Sequence, residues 1–187
     1  MHNLNHYFSS VGFSDADVAR ITSYFKPAKL SKGDHFATEG KVNANLAFIN
    51  KGAFQYCFNQ DGEEITTYVV GQYGFLASLL GVLQQKPSQE NIRAITDAEL
   101  FIIRIQDFNK LKTEVEGFKD FYIALLEYQI ICVDESRFAL LTQSAEERYQ
   151  NILKKQPELL QQIPLYFLAT ILGVTPRHLS RIRSKIK

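Results

Sequence analysis

The sequence predicts an α+β protein: an antiparallel β-roll, then one long helix, then a small helical unit at the C-terminal end. Three observations carry this. Short β-type runs recur between residues 35 and 103 at roughly 8–12-residue spacing, with glycine-bearing gaps between them. From 116 to 143 there is no proline and, after Gly117, no glycine. From 145 onward the pattern is helical and basic. The three units are expected at 1–115, 116–143 and 144–187.

Of the 187 residues, 45% are hydrophobic and 22% charged, the balance of a chain with a core rather than a disordered one. No apolar run approaches the ~18 residues that span a bilayer, so no membrane partner is expected. The opening residues lack a basic segment followed by an apolar stretch, so no secretory leader is expected. Cys57 and Cys132 form no spacing motif, which fits free thiols and a cytoplasmic location.

In chain order, Ser14 is the expected N-cap of a first helix, with Asp15 and Asp17 in its first turn and Val18, Ile21, Tyr24 and Phe25 on one face. Pro27 should end it. Strands are expected at 35–38, 46–50, 54–59, 65–70, 91–96 and 99–103, with Asp61-Gly62 as a hairpin turn. The stretch 116–143 carries two apolar stripes. One holds Phe118, Phe121, Tyr122, Leu125 and Cys132; the other holds Leu126, Ile130, Val133, Leu140 and Leu141. Two stripes require burial on two sides: one against the roll, the other against the same helix of a second subunit or against the C-terminal segment. Ser144 and Glu147 form a capping box for a helix ending before Pro157. Pro164 opens a helix at Leu165 that should stop at Gly173. Thr175 as N-cap and Pro176 at the first helical position start a last helix reaching about Lys185.

Net charge is only +1, but it is unevenly placed. Residues 137–187 hold nine Lys/Arg against three Asp/Glu, a balance of +6; residues 1–136 hold twelve against seventeen, −5. A basic tail on an acidic body points to a polyanion at one end; a solvated helical face is the alternative. The last two helices, with small Ala169, Gly173 at the turn and apolar Leu168, Leu172, Val174, Leu179 and Ile182, make a helix-turn-helix candidate. Thr175 and the free N–H groups behind it would face a phosphate. Arg177, His178 and Arg181 are placed for base edges in double-stranded DNA; Ser180, Arg183 and Lys185 suit phosphates.

Lys32-Gly33-Asp34, Glu39-Gly40, 46–52 (Leu-Ala-Phe-Ile-Asn-Lys-Gly) and 61–66 (Asp-Gly-Glu-Glu-Ile-Thr), together with Ile163-Pro164, Leu168-Ala169 and 172–183, resemble the cyclic-AMP receptor protein (Crp/Fnr) family of bacterial transcription regulators over nearly the whole chain. The resemblance implies a jelly-roll-like, cyclic-nucleotide-binding effector domain (a double-stranded β-helix), a dimerisation helix and a homodimer on palindromic DNA, with RNA polymerase as a further partner. No hairpin wing is expected after the last helix. The effector residues it implies are Gly74, Phe75, Leu76, Ala77, Ser78, Lys86, Ser88 and Arg93. The sequence departs from the family here. Ala77-Ser78 stand where the family has a glycine-acid pair for the ribose, and Pro87 stands at its phosphate-binding arginine. A cyclic nucleotide is thus the implied cofactor of a site missing both of its charged anchors.

Two rivals remain: a ligand-binding or protein-interaction module without DNA binding, and a cupin-like metal enzyme around His35 and Glu39. A cupin needs converging histidines, and His35 stands alone in the roll. His2 and His6 have i, i+4 spacing at a chain start. No nucleophile, triad or phosphate-loop pattern is present, so neither catalytic nor metal residues are expected.

Overall fold

The computed structural model describes residues 1–155, 157, 160 and 163–186. Lys187, counted above in the basic tail, lies outside the described residues. Two antiparallel four-stranded sheets form the roll. In the first, strands β1 (Lys26–Leu30), β3 (Asn45–Lys51), β6 (Phe75–Ala77) and β8 (Ala98–Arg104) run in the order β1-β8-β3-β6. In the second, β2 (His35–Ala37), β4 (Phe54–Gln60), β5 (Glu63–Val70) and β7 (Asn91–Ala94) run in the order β2-β7-β4-β5. Ala47, Ile49, Phe54, Leu76, Ile92 and Leu100 fill the space between the sheets. The six expected strands are present with bounds shifted by a few residues. β1 and β6 were not anticipated: Pro27 reads as a helix stop, and β6 is three residues long. Asp61 and Gly62 both take positive φ in the β4–β5 turn, as a tight hairpin of this kind requires.

Helix α1 (His2–Ser10) was also unanticipated, yet Leu4 and Phe8 on it are fully buried. Helix α2 (Asp15–Ser23) starts as expected, the Ser14 hydroxyl accepting from the Asp17 N–H. Helices α3 (Leu79–Gln84) and α4 (Ile105–Glu114) lead to α5 (Phe118–Thr142), 25 residues long. Phe8, Phe108, Phe118 and Phe121 pack ring to ring and fix the start of α5 on the roll. The first expected stripe faces the roll, with Phe118 buried and Phe121, Tyr122, Leu125 and Cys132 half-buried. The second stays largely open: Ile130, Val133, Leu140 and Leu141 are exposed, as are Ile123, Ile131 and Phe138. No helix among the described residues is long and apolar enough to cross a membrane.

Three helices close the chain: α6 (Ala145–Lys155), α7 (Leu165–Ile171) and α8 (Pro176–Lys185). The capping box forms as expected. Ser144 N–H donates to Glu147 at 2.7 Å and Glu147 N–H donates to the Ser144 hydroxyl at 3.3 Å. The bonds from Ser144, its backbone N–H first, hold the Glu147 carboxyl below its ordinary range. The core of this head joins Tyr149, Leu168, Ala169, Leu172, Leu179 and Ile182 to Ala53, Val69 and Ile95 of the roll.

Candidate nucleic-acid interface and effector groove

The helix-turn-helix geometry comes from a few local interactions. At the end of α7, Gly173 sits at φ +64°. Its N–H donates to Thr170 C=O and that of Val174 to Ala169 C=O, at 3.0 and 2.9 Å. This is the paired hydrogen-bond stop in which a left-handed residue turns the chain out of a helix. Two residues later the Thr175 hydroxyl accepts from His178 N–H at 3.2 Å, and Pro176 fills the first helical position without losing a donor. Leu179 and Ile182 are buried against α7. Arg177, His178, Ser180, Arg181, Arg183 and Lys185 all lie on the solvent side, and Thr175 is exposed at the helix start. None of the six ion pairs among the described residues uses any of them. The sequence-predicted set is therefore on one surface. By helical spacing Ser184 lies on that face beside Arg177, on the side away from Arg181; a lone serine near a helix end carries no sequence signal.

One half-buried cation holds this head to the long helix. Arg148, on α6, donates through Nη1 to the carbonyls of Ala139 and Gln143 at the end of α5. Through Nη2 it donates to Leu172 C=O at 2.6 Å, at the turn. Those carbonyls belong to helix ends, where the last turn leaves acceptor capacity unfilled; that of Ala139 also accepts from Gln143 N–H at 3.0 Å. The head also rests on the roll. Thr66 N–H of β5 donates to the Thr170 hydroxyl at 3.3 Å, and the Tyr166 hydroxyl donates to Glu64 C=O at 3.3 Å.

The second candidate site is an open groove of about 1860 Å³ between the roll and α5. Of the expected effector residues, Gly74, Phe75, Ala77, Ser78 and Ser88 line it. Ser78 and Ser88 are buried, and the Ser88 hydroxyl donates to Glu90 C=O at 2.6 Å. Three expected residues do not line it. Leu76 points into the core and is fully buried. Lys86 is exposed and away from the lining. Arg93 is held by Glu64, which also accepts from Gln55, because β7, β4 and β5 stand side by side. The groove's remaining polar groups were missed. Tyr56 and Tyr68 meet edge to face with centroids 5.7 Å apart. The Tyr56 hydroxyl lies between the N–H and C=O of Ala77, at 3.2 and 3.4 Å. Thr67 donates to Glu90 at 2.9 Å. From α5, Tyr128 and Cys132 complete the wall, and their mutual hydrogen bond is the main cause raising the Tyr128 phenol. Burial raises Tyr68. Among the described residues no three or more His, Cys, Asp or Glu side chains come together as a metal site.

The cyclic nucleotide-binding domain family matches residues 27–114, from β1 to the end of α4. No curated protein matches this sequence. The solved structure of FixK2 from Bradyrhizobium japonicum is similar at 14% identity and a TM-score of 0.76, covering 87% of this chain and 84% of that one. The catabolite activator protein of Thermus thermophilus is similar at 20% identity and 0.60, covering 94% and 84%. The c-di-GMP-responsive global regulator CLP of Xanthomonas campestris is similar at 15% and 0.68, covering 92% and 91%. Identities this low establish the fold, and they do so from roll to head. Residues 27–114 match the cyclic nucleotide-binding domain family, and the chain as a whole has the fold of the Crp/Fnr regulators.

Proposed function

We propose that this chain is a cytoplasmic DNA-binding regulator, not an enzyme, acting as a homodimer with α8 of each subunit in a major groove and the roll as effector sensor. The observation that carries the reading is the outer face of α8. Its cations stand in solvent without counter-ions among the described residues, over a buried Leu179 and Ile182. In this reading Arg177, His178 and Arg181 meet base edges, while Ser180, Arg183, Lys185 and the Thr175 turn hold phosphates. The open apolar stripe of α5 supports self-association, since a second copy would cover Ile130, Val133, Leu140 and Leu141. Pairing along α5 would set the two α8 helices about 34 Å apart, one turn of duplex. RNA polymerase is the further partner implied by the family resemblance.

Effector control needs a route and a difference in affinity between two arrangements. β5 supplies the route: Tyr68 lies in the groove, and Thr66 and Glu64 on the same strand hold the head. A ligand that shifts β5 against α5 would therefore move the surface on which α7 rests. The test is anisotropy of labelled duplex fragments against protein at rising salt. Six or more phosphate contacts give a loss of about 10³-fold or more between 50 and 200 mM salt. No binding at the lower salt would overturn the proposal.

A further inference from the structure

The groove is chemically unlike a site for an anion. Its lining contains no Lys, Arg or His among the described residues, but it does contain the carboxylates of Asp17, Glu90, Glu116 and Asp120. A cyclic nucleotide brings a phosphate that needs a fixed cation. Arg93 is already engaged by Glu64, and Lys86 lies outside the lining. Glu90 is half-buried, with Thr67 donating to one carboxylate oxygen at 2.9 Å. Burial holds its carboxyl above the ordinary range, so a cation beside it would restore the charged form. Glu90 is close enough to influence Tyr56, whose phenol is raised above all by burial, with Tyr68 and Glu90 adding to the shift against the hydrogen bond to Ala77. The edge-to-face pair of Tyr56 and Tyr68 thus stands beside a carboxylate, with Tyr128 across the groove on α5. Rings around a carboxylate are the surroundings that favour an organic ammonium, through ring quadrupoles and direct charge.

Resting on the reading of the groove as the effector site, we propose that its effector is a small organic cation, an amine or quaternary ammonium seated between Glu90 and the tyrosines Tyr56, Tyr68 and Tyr128. The aromatic walls suit an apolar or ring-bearing body, and Ser78 and Ser88 offer hydroxyls at the floor.

The experiment is a thermal-shift titration of the full chain with choline, tyramine, cyclic AMP and cyclic GMP, with duplex binding measured in parallel. Tyramine or choline should raise the melting temperature in a saturable way, and the cyclic nucleotides should not. Glu90→Gln should weaken ammonium binding about tenfold, and Tyr68→Leu should weaken it as well. Glu90→Asp, which keeps the charge, should retain part of it. Far-UV circular dichroism of each unliganded variant separates lost binding from lost folding; if Glu90→Gln does not fold, the Tyr68→Leu and Glu90→Asp titrations decide. A shift with cyclic AMP equal to that with the amines would overturn the proposal, as would no shift with either amine, or undiminished binding by Glu90→Gln. Duplex binding that persists while the amines do nothing sinks the ligand class alone. Amine binding without duplex binding sinks the regulator reading and leaves the ligand class standing.

Discussion

Among the described residues, the outer face of α8 presents Arg177, Arg181, Arg183 and Lys185 to solvent with no counter-ion, whereas the groove is walled by tyrosines and carboxylates with no Lys or Arg. Both sites lie within one fold whose relatives include the catabolite activator protein of Thermus thermophilus. In this chain the two regions carry opposite chemistry, a basic helix face at the head and an acidic, aromatic lining in the groove. The difference shows that a scaffold fixes where a ligand sits, while a handful of side chains decide what it is. In the proposed coupling the two sites communicate through the contacts of β5 and Arg148 rather than by long-range charge, which salt would screen within about 8–10 Å.

The sharpest break in this contrast is removal of cations from the head. With Arg177 and Arg181 both replaced by Ala, two base-edge contacts of about 1–3 kcal/mol each are lost. Affinity for a selected palindromic site should fall about a hundredfold or more, and affinity for random duplex much less, as read by anisotropy. An equal loss on both would move the arginines from bases to phosphates. Next in size is Arg148→Ala, which strips three helix-end carbonyls of a charged donor. A loss of about 2–3 kcal/mol is expected in urea unfolding, together with weaker duplex binding and unchanged ligand binding in the groove. Arg148→Lys should recover little, because an ammonium cannot span the same fork of carbonyls. Gly173→Ala comes third. A side chain there meets nothing closer than Arg148 Nη2 at 3.9 Å, so the cost is that of φ +64° alone, about 1 kcal/mol. Gly173→Asn should cost less, since asparagine tolerates that conformation. A larger penalty for Ala than for Arg148→Ala would mean that the turn, not the guanidinium, sets the angle of the head.

The same contrast governs what could be read from the sequence. The head was readable because its signals are local: Ser144 with Glu147, Gly173, Thr175 with Pro176, and the basic positions on one face of a ten-residue helix. The groove was not, because it is assembled from strands and a helix far apart in sequence. Counting back from the turn pairs Gln60 with Glu63 and would place Tyr56 opposite Thr67. An irregularity between Tyr56 and Cys57 shifts the register and sets Tyr56 opposite Tyr68 instead. That single slip creates the ring pair, and no residue type in the hairpin announces it. Arg93 was misplaced for a related reason: its partner Glu64 is 29 positions away and meets it only because β4 lies between β7 and β5. Helix α1 was missed since Met1, its N-cap, offers no capping hydrogen bond. Its two anchors, Leu4 and Phe8, look like any short apolar pair until the ring cluster around Phe118 is assembled.

The finest division within the head is between cations that read bases and cations that only neutralise, and Lys185 tests it with the smallest effect. It lies in the last turn of α8, exposed, where a cation also complements the helix dipole. A flexible ammonium at that end would approach the backbone of the duplex rather than a base edge. Lys185→Ala should therefore leave the preference between cognate and random duplex unchanged. It should lower the slope of log affinity against log salt by about one. A changed preference with an unchanged slope would transfer Lys185 to the base-reading set and rotate α8 about its axis relative to the docking proposed above.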